Sequence, residues 1–488
     1  MTAPSIAPPA RAQEQVSFSL PWLPFVPLLA LPFVGTEPES LGNVIVAVEV
    51  VFLVMGVRNP VWVLGALMLS ELTVRNYYID LNGLSMTTRL FVTLSASVVV
   101  LPQFANTDLG PRSKPMLLLA LLFIGITTLA NAVASDADYV AQFFRYVLTG
   151  FLALVLVPLA IRTREDVAKI SMAVFVIALA STFIAIMQHY HFRGAPIIAT
   201  VPNEIFDTGF EAWQGRSLGL AENPVYLTND LLFVLLPIVG LLMTGALPER
   251  YRGYAVASAL MLLGALYFTQ TRSWVVGAVP GMAAMAFLLS PRMRRDALVL
   301  VLLFGFAFWA WSAHAGNRYS LSDDDSAAAR PVLWSASFDI VKDHPVIGVG
   351  HDKFLELSPQ YADQDQVIEE PLIENVADPN DVLGRFAPHN DYLNVWLSWG
   401  TFALAAYLAI LLVTLLNLKD AFYQLLDPFL RGIALGGFGV LIAFCANSFF
   451  HNFFDSTLTI WVLAGLSLAM IKLAALERQA ETEAAWSA

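Results

Sequence analysis

Apolar residues occur along this chain in long unbroken stretches, separated by short polar segments. Each stretch approaches the roughly 20 residues that a helix needs to cross a membrane. About 14 are predicted, near residues 19–34, 41–57, 60–74, 87–102, 114–133, 140–161, 167–189, 226–245, 252–268, 273–289, 295–313, 390–417, 430–450 and 455–475. The pattern therefore predicts an all-α polytopic membrane protein with about 14 transmembrane helices, forming a single membrane-embedded domain over residues 1–488.

Composition supports this class and excludes others. Apolar residues make up 57% of the chain and charged residues 14%, whereas a soluble domain has about 45–50% and about 25%. A soluble globular enzyme is therefore excluded. The net charge of −12 argues against nucleic acid as a partner, because such proteins neutralise phosphates with basic residues. The single cysteine, Cys445, excludes a disulfide framework.

The basic residues between the predicted spans indicate an orientation. Short cytoplasmic loops are enriched in Lys and Arg. Alternate connections carry Arg58, Arg112, Lys114, Arg162, Arg164, Lys169, Arg250, Arg252, Arg292, Arg294, Arg295, Lys419, Arg431, Lys472 and Arg478. The intervening connections at 35–40 and 135–138 are acidic. Both termini are therefore predicted to be cytoplasmic, and two long loops, 190–225 and 314–388, are predicted to lie on the opposite side.

Four arginines depart from this distribution, because they belong to the outer side: Arg216, Arg272, Arg330 and Arg385. Each could be a snorkelling side chain or could pair with an acid of the outer loops. Arg272 is different, since its connection is very short and Gln270, Thr271 and Ser273 surround it with hydrogen-bonding groups. Arginine suits phosphate because its planar fork donates two parallel hydrogen bonds. Together the four favour an anionic ligand.

The segment 330–350 predicts a short amphipathic helix in the longer outer loop. Pro331 suits a first helical position, and Pro345 would end the helix. One apolar stripe is expected from Trp334, Phe338 and Val341. The helix could lie on the outer membrane surface, or it could be a packing element that closes the loop over the spans.

His389 stands where a polar segment enters an apolar helix, in APHNDYLNVWLSWG (387–400). Histidine can exchange protons near neutral pH. The start of the helix and nearby arginines should disfavour imidazolium, and a general base must be neutral. The alternative is a structural hydrogen-bonding histidine. Asn390 and His451, the latter in FFHNFFD (449–455), are secondary candidates.

These motifs together resemble the O-antigen ligase and Wzy polymerase superfamily of bacterial membrane glycosyltransferases. The resemblance covers residues from about 200 to 470. It rests on four motifs: His389-Asn390-x-x-Leu393 with Gly400; Arg330-x-x-x-Trp334 followed by Pro345-x-x-Gly348-x-Gly350; Thr271-Arg272-Ser273; and Arg216-x-x-Gly219.

The resemblance implies a donor glycan joined through diphosphate to a polyprenyl lipid, and an acceptor sugar hydroxyl. It implies a protein of the bacterial inner membrane whose active site faces the periplasm, with no metal, cofactor or nucleotide sugar. His389 would take the acceptor's proton, while Arg216 and Arg272 would hold the diphosphate. Arg330 and Arg385 are expected in the same pocket. Membrane lipids and a chain-length regulator are further candidate partners.

Three alternatives stay open at this point. A Wzy-type polymerase of O-antigen or exopolysaccharide repeats is favoured slightly by the predicted number of spans. An O-antigen ligase would instead pass the finished glycan to a lipid A core or another acceptor. A multispanning transporter is the alternative from another class, since polar residues within spans often mark ion pathways; here these are Asn131, Arg145 and Asn447.

Overall fold

The structure is a computed structural model. It describes residues 38–73, 78–81, 84–102, 108–134, 137–190, 216–289, 325–351, 353–361, 386–454 and 457–487, with residue 383 and scattered positions between 291 and 306. The predicted span at 19–34, most of that at 295–313, and Arg385 lie outside the described residues.

Helices dominate the described part of the chain, as the hydropathy pattern predicts. They are α1 (Pro38–Arg58), α2 (Val61–Leu72), α3 (Thr88–Val100), α4 (Ser113–Ala134), α5 (Ala137–Ala160), α6 (Arg164–His189), α7 (Pro224–Met243), α8 (Glu249–Phe268), α9 (Ser273–Leu289), α10 (Asp325–Asp343), α11 (Lys353–Leu357), α12 (Asp391–Gln424), α13 (Pro428–Asn447) and α14 (Thr459–Ser487). A 3₁₀ turn (Ser358–Tyr361) follows α11.

Six of these helices are long and apolar enough to cross a membrane, namely α4, α6, α7, α12, α13 and α14. Four shorter apolar helical stretches accompany them, at Val61–Leu72, Thr88–Val100, Tyr146–Ala160 and Ser273–Leu289. An all-α membrane protein is thus supported. The total of about 14 spans stays a prediction, as do the two outer loops.

A small β-hairpin is the one departure from the all-α prediction in the described residues. Strands β1 (Tyr78–Leu81) and β2 (Leu84–Thr87) pair antiparallel, with Tyr78 opposite Thr87 and Leu81 opposite Leu84. The sequence between them is Asn-Gly, the dipeptide most typical of two-residue hairpin turns. Hydropathy averaged over a span cannot detect such a short element.

Glycines allow the central helix α13 to pack closely against α7 and α9. A side chain on Gly436 would collide with the backbone of Pro237 in α7. One on Gly281 in α9 would place its Cβ only 2.8 Å from the carbonyl oxygen of Gly439. Small residues serve this purpose in membrane bundles, where association depends on packing between backbones.

Helix α12 is interrupted at Gly400, which has a φ of 80°. A side chain there would collide with the backbone of Val346, so only glycine fits. The segment 345–350 docks into this break and exchanges backbone hydrogen bonds with it. The three bonds, each of 2.8–2.9 Å, are Val349 N to Leu397 O, Gly350 N to Ser398 O, and Thr401 N to Pro345 O. The two most specific sequence motifs are therefore partners in space.

Helix α10, which is predicted to lie in the longer outer loop, differs from its prediction in two respects. It begins at Asp325, so Pro331 lies inside the helix and not at its first position. The three alanines at 327–329 are strong helix formers and extend the helix backwards. The buried face includes Leu333, Ala336, Ile340 and Val341. Of the expected stripe, Val341 is therefore buried, whereas Phe338 is 44% exposed. This face packs with Leu397 of α12 in a small separate core, as expected of a packing element.

The basic residues of several helices gather at one end of the bundle. Arg164 at the start of α6 pairs with Asp427 at 2.8 Å, and Arg112 pairs with Asp420 at 2.8 Å near the end of α12. Lys472 of α14 donates to the carbonyl oxygen of Pro158 near the end of α5. The start of α7, the α8–α9 junction, the start of α12 and the α13–α14 connection belong to the other end, where the candidate site lies.

Candidate active site

His389 lies two residues before α12 in a strained backbone conformation. Its φ is 50°, a region that few residues other than glycine adopt. Asn390 caps the helix, because its side-chain oxygen accepts from the N–H of Leu393 at 3.0 Å. In the described residues the other non-glycine residue with positive φ is Gln270, beside Arg272. Such strain concentrates at functional sites.

The imidazole of His389 is half-buried, and its surroundings favour the neutral form. Burial first, and then the charge of Arg330, lower the pKa of His389 to about 4. The arginines and the helix start predict a neutral imidazole from the sequence, but burial is the larger cause of the lowered pKa. At neutral pH the ring can therefore accept a proton.

Arg330 reaches the site from α10. One turn later, Trp334 donates its indole N–H to the carbonyl oxygen of Pro388 at 3.0 Å, next to His389. The guanidinium carbon of Arg330 lies 5.7 Å from the ring centre of Phe450. The Arg-x-x-x-Trp motif thus connects the segment before α12 with the connection that carries His451.

His451 lies in the same electrostatic environment. Burial lowers its pKa well below the ordinary value, and His389, Arg330 and Arg216 lower it further. An effect of this kind requires the charges to be close. The contacts of Arg330 with Phe450 and of Trp334 with Pro388 place Arg330 near both histidine-bearing segments. The charge of Arg216 also acts on His451.

Asp391 joins the two segments that carry the histidines, and it is not among the residues predicted from the sequence. Its fully buried carboxylate accepts three hydrogen bonds, from Ser448 Oγ at 2.7 Å, Phe453 N at 2.7 Å and Phe454 N at 2.9 Å. The preceding Asn390 donates its N–H to Asn452 Oδ1 at 2.8 Å. An acidic residue at the edge of a predicted span was the available signal.

Arg216 is fixed to the α8–α9 junction. Its Nε donates to the carbonyl oxygen of Thr269 at 2.9 Å, and the next N–H, of Ser217, donates to Phe268 O at 3.0 Å. Gln188 at the end of α6 accepts from the N–H groups of Leu218 and Gly219, both at 2.8 Å. The Arg216-x-x-Gly219 motif is therefore held between α6 and the junction.

Arg272 lies half-buried on this same junction, directly before α9. Three threonines line the turn, with hydroxyl contacts from Thr271 to Thr228 at 2.6 Å and to Thr269 at 2.7 Å. The polar neighbourhood expected around Arg272 is present. Within the described ranges, no group of three or more His, Cys, Asp or Glu is placed to hold a metal ion.

The structure thus shows a helical membrane-type protein whose candidate site, at one end of the bundle, contains arginines and two histidines. Residues 257–408 match the family Wzy_C, described as O-antigen ligase. This match confirms the resemblance to the O-antigen ligase and Wzy superfamily. The matched segment of this chain includes Arg272, Arg330, His389 and Gly400. The apolar helices and the match support a multi-pass bacterial membrane protein. No curated protein matches the chain.

Proposed function

We propose that this protein transfers a glycan from a polyprenyl-diphosphate donor to a sugar hydroxyl, and that it polymerises O-antigen or exopolysaccharide repeat units in the manner of a Wzy polymerase. The observation that carries the proposal is that Arg330 and Trp334 of α10 contact the two segments that carry His389 and His451, which Asp391 joins by hydrogen bonds. The charges of Arg330 and Arg216 act on these histidines. The family match supports the reaction class. The substrates would be a polyprenyl-linked oligosaccharide and an acceptor glycan.

The proposed chemistry uses one base and fixed positive charge. The acceptor oxygen attacks the anomeric carbon of the donor, and His389 takes the hydroxyl proton. The bond from that carbon to the diphosphate breaks, and its electron pair leaves with the diphosphate oxygen. Arg216, Arg272 and Arg330 stabilise the charge that grows there, in a partly dry site where preorganised charges act most strongly.

Donor binding would also improve the base. The arginine charge helps to keep His389 neutral in the free protein. A bound diphosphate would offset that positive charge, and a nearby anion favours imidazolium. The basicity of His389 would therefore rise when the substrate that needs it is present.

The active site would face the periplasm. Basic residues gather at the opposite end of the bundle, and that end is cytoplasmic according to the positive-inside rule. The same rule gives cytoplasmic termini in the bacterial inner membrane. A polyprenyl diphosphate then meets the protein at the membrane surface, with its tail among the lipids.

An O-antigen ligase is the second candidate, because the matched family is described by that name. Membrane lipids and a chain-length regulator are proposed partners in either case. The transporter alternative has less support, since Asn131 is already bonded to His351 N at 2.8 Å and Trp399 Nε1 at 3.2 Å.

Deleting the gene and separating lipid-linked glycans on a gel tests the proposal. Accumulated single repeats would support a polymerase, and long unattached chains would support a ligase. Restoring the gene with His389→Ala should reproduce the deletion, since loss of a general base costs about 10²–10⁴ in rate. His344→Ala is the matched control, because His344 is exposed beyond the end of α10. An unchanged glycan pattern after deletion would contradict the proposal.

A further inference from the structure

The connection between α13 and α14, which carries His451, is held by two buried carboxylates from distant parts of the chain. Asp391 accepts from Phe453 N and Phe454 N, just beyond His451. Glu71, at the end of α2, accepts from Leu458 N at 2.7 Å, where the chain enters α14. The carboxylates are 0% and 1% exposed, respectively.

A second group supports the Glu71 side of this arrangement. Tyr146 of α5 donates its hydroxyl to Phe454 O at 2.5 Å and contacts Thr457 O at 3.2 Å. The guanidinium carbon of Arg89, from α3, lies 5.1 Å from the centre of the Tyr146 ring, and its Nη1 is 3.7 Å from Glu71 Oε2. Helices α2, α3 and α5 carry no recognisable motif. Nevertheless α2 and α5 contact the connection directly, and α3 supports them through Arg89.

Burying two carboxylates in a membrane bundle is energetically unfavourable. Each loses its hydration, and only good hydrogen bonds and a partner charge offset that loss. Apolar side chains would pack these helices without that cost. Carboxylates do provide strong, directional acceptors for backbone N–H groups. The two acids therefore fix the backbone on the C-terminal side of His451, at Phe453, Phe454 and Leu458.

We propose that Asp391 and Glu71 are positioning residues that hold His451 in the cationic site, where its imidazole N–H binds the diphosphate of the donor. The role of His451 rests on the proposed function. The holding of the connection does not, since it follows from the hydrogen bonds alone. Glu71 acts only through His451, and its carboxylate touches no substrate.

A double-mutant cycle on the purified full-length protein tests this coupling. We expect His451→Ala to raise the donor KM. Glu71→Ala should lower kcat/KM at least about tenfold in the parent protein but less than about threefold in the His451→Ala background, because residues that act as one unit are not additive. Glu71→Gln should keep most of the activity, since its amide oxygen can still accept from Leu458 N.

Glu477→Ala is the matched control. Glu477 also accepts a backbone N–H from a connection between helices, that of Leu426 at 2.6 Å, but at the basic end of the bundle. This variant should leave kcat/KM unchanged. Equal losses for Glu71→Ala with and without His451 would overturn the proposal, as would loss of activity in Glu71→Gln equal to that in Glu71→Ala.

A hydrogen-exchange experiment tests the positioning role of Glu71 independently of the proposed function. The amide of Leu458 should exchange slowly in the parent protein and in Glu71→Gln, and faster in Glu71→Ala, since the bond that protects it is removed. Unchanged exchange in Glu71→Ala would overturn the holding role even in an active enzyme. A parent protein that transfers no glycan would overturn the proposed function and with it the role of His451, while exchange would still decide the holding role.

Discussion

Glycan transfer should stay near its maximum well into the acid range, because the pKa of His389 is about 4. The neutral imidazole is the active form of a general base. The folded pKa is depressed, so the active form persists as pH falls below the ordinary value near 6.5 and is lost only near 4. The acid limb of kcat/KM reports this pKa, since it reflects the free enzyme.

The rate at acid pH distinguishes an ordinary, exposed imidazole from the buried imidazole of His389. At pH 5.5 an ordinary imidazole is about 90% protonated and would leave about a tenth of the rate, whereas a pKa of about 4 leaves about 97% neutral. Arg330→Met removes the second cause of the depression and leaves burial, the larger one. The acid limb of this variant should therefore move to higher pH, but by only part of the difference between about 4 and 6.5. Arg330→Lys keeps the charge and should move the limb less.

The assay is transfer from a purified lipid-linked donor in detergent between pH 4 and 8, with thermal unfolding followed in parallel to exclude acid denaturation. The position of the limb is the readout, since Arg330 variants will also lose absolute rate. The kcat limb should lie at higher pH than the kcat/KM limb, because bound diphosphate favours imidazolium. A parent kcat/KM limb near pH 6.5, or a limb that moves downward in Arg330→Met, would refute the reasoning.

Two further substitutions test other parts of the structure. Arg272→Lys should weaken donor binding at least about tenfold, because a point charge cannot reproduce bidentate phosphate contacts; unchanged binding of a polyprenyl diphosphate in a titration would count against the arginine clamp. Gly400→Ala should destabilise the protein by more than about 2 kcal/mol, because its φ is 80° and the new methyl group meets the backbone of Val346. The thermal unfolding midpoint should fall, while Gly264→Ala, in open space on α8, should leave it unchanged or higher.

Hydropathy predicted the helices well, because lipid requires long apolar segments and their ends are marked by polar residues. It also singles out Arg216, Arg272 and His389 as candidates, since polar or charged groups at a membrane edge are costly and therefore stand out; their roles stay a prediction. The predicted start of α10 at Pro331 was wrong, because the alanines before it are strong helix formers and the helix begins at Asp325. The hairpin was missed because its signal is two residues long.

The residues that support the site could not be found in this way. Asp391 and Gln188 act through hydrogen bonds to residues far away or in irregular segments, and no periodicity reports such contacts. Glu71 accepts a hydrogen bond from the N–H of Leu458, which lies 387 positions further along the chain. A single sequence shows that a carboxylate lies in an apolar segment, where burial is unfavourable. It does not show which hydrogen-bond donor offsets that burial.

Helix direction adds to the anion preference of the site. Helices α7, α9, α12 and α14 all begin at the end of the bundle where the candidate site lies, and three of them start shortly after Arg216, Arg272 and His389, respectively. The first turn of a helix carries partial positive charge from its N–H groups. Backbone dipoles and guanidinium groups thus favour the same ligand charge, and the guanidinium charges also lower the pKa of the two histidines. A diphosphate that binds here would offset the positive charge of the arginines and raise the pKa of His389. We therefore expect donor binding and activation of the base to occur together.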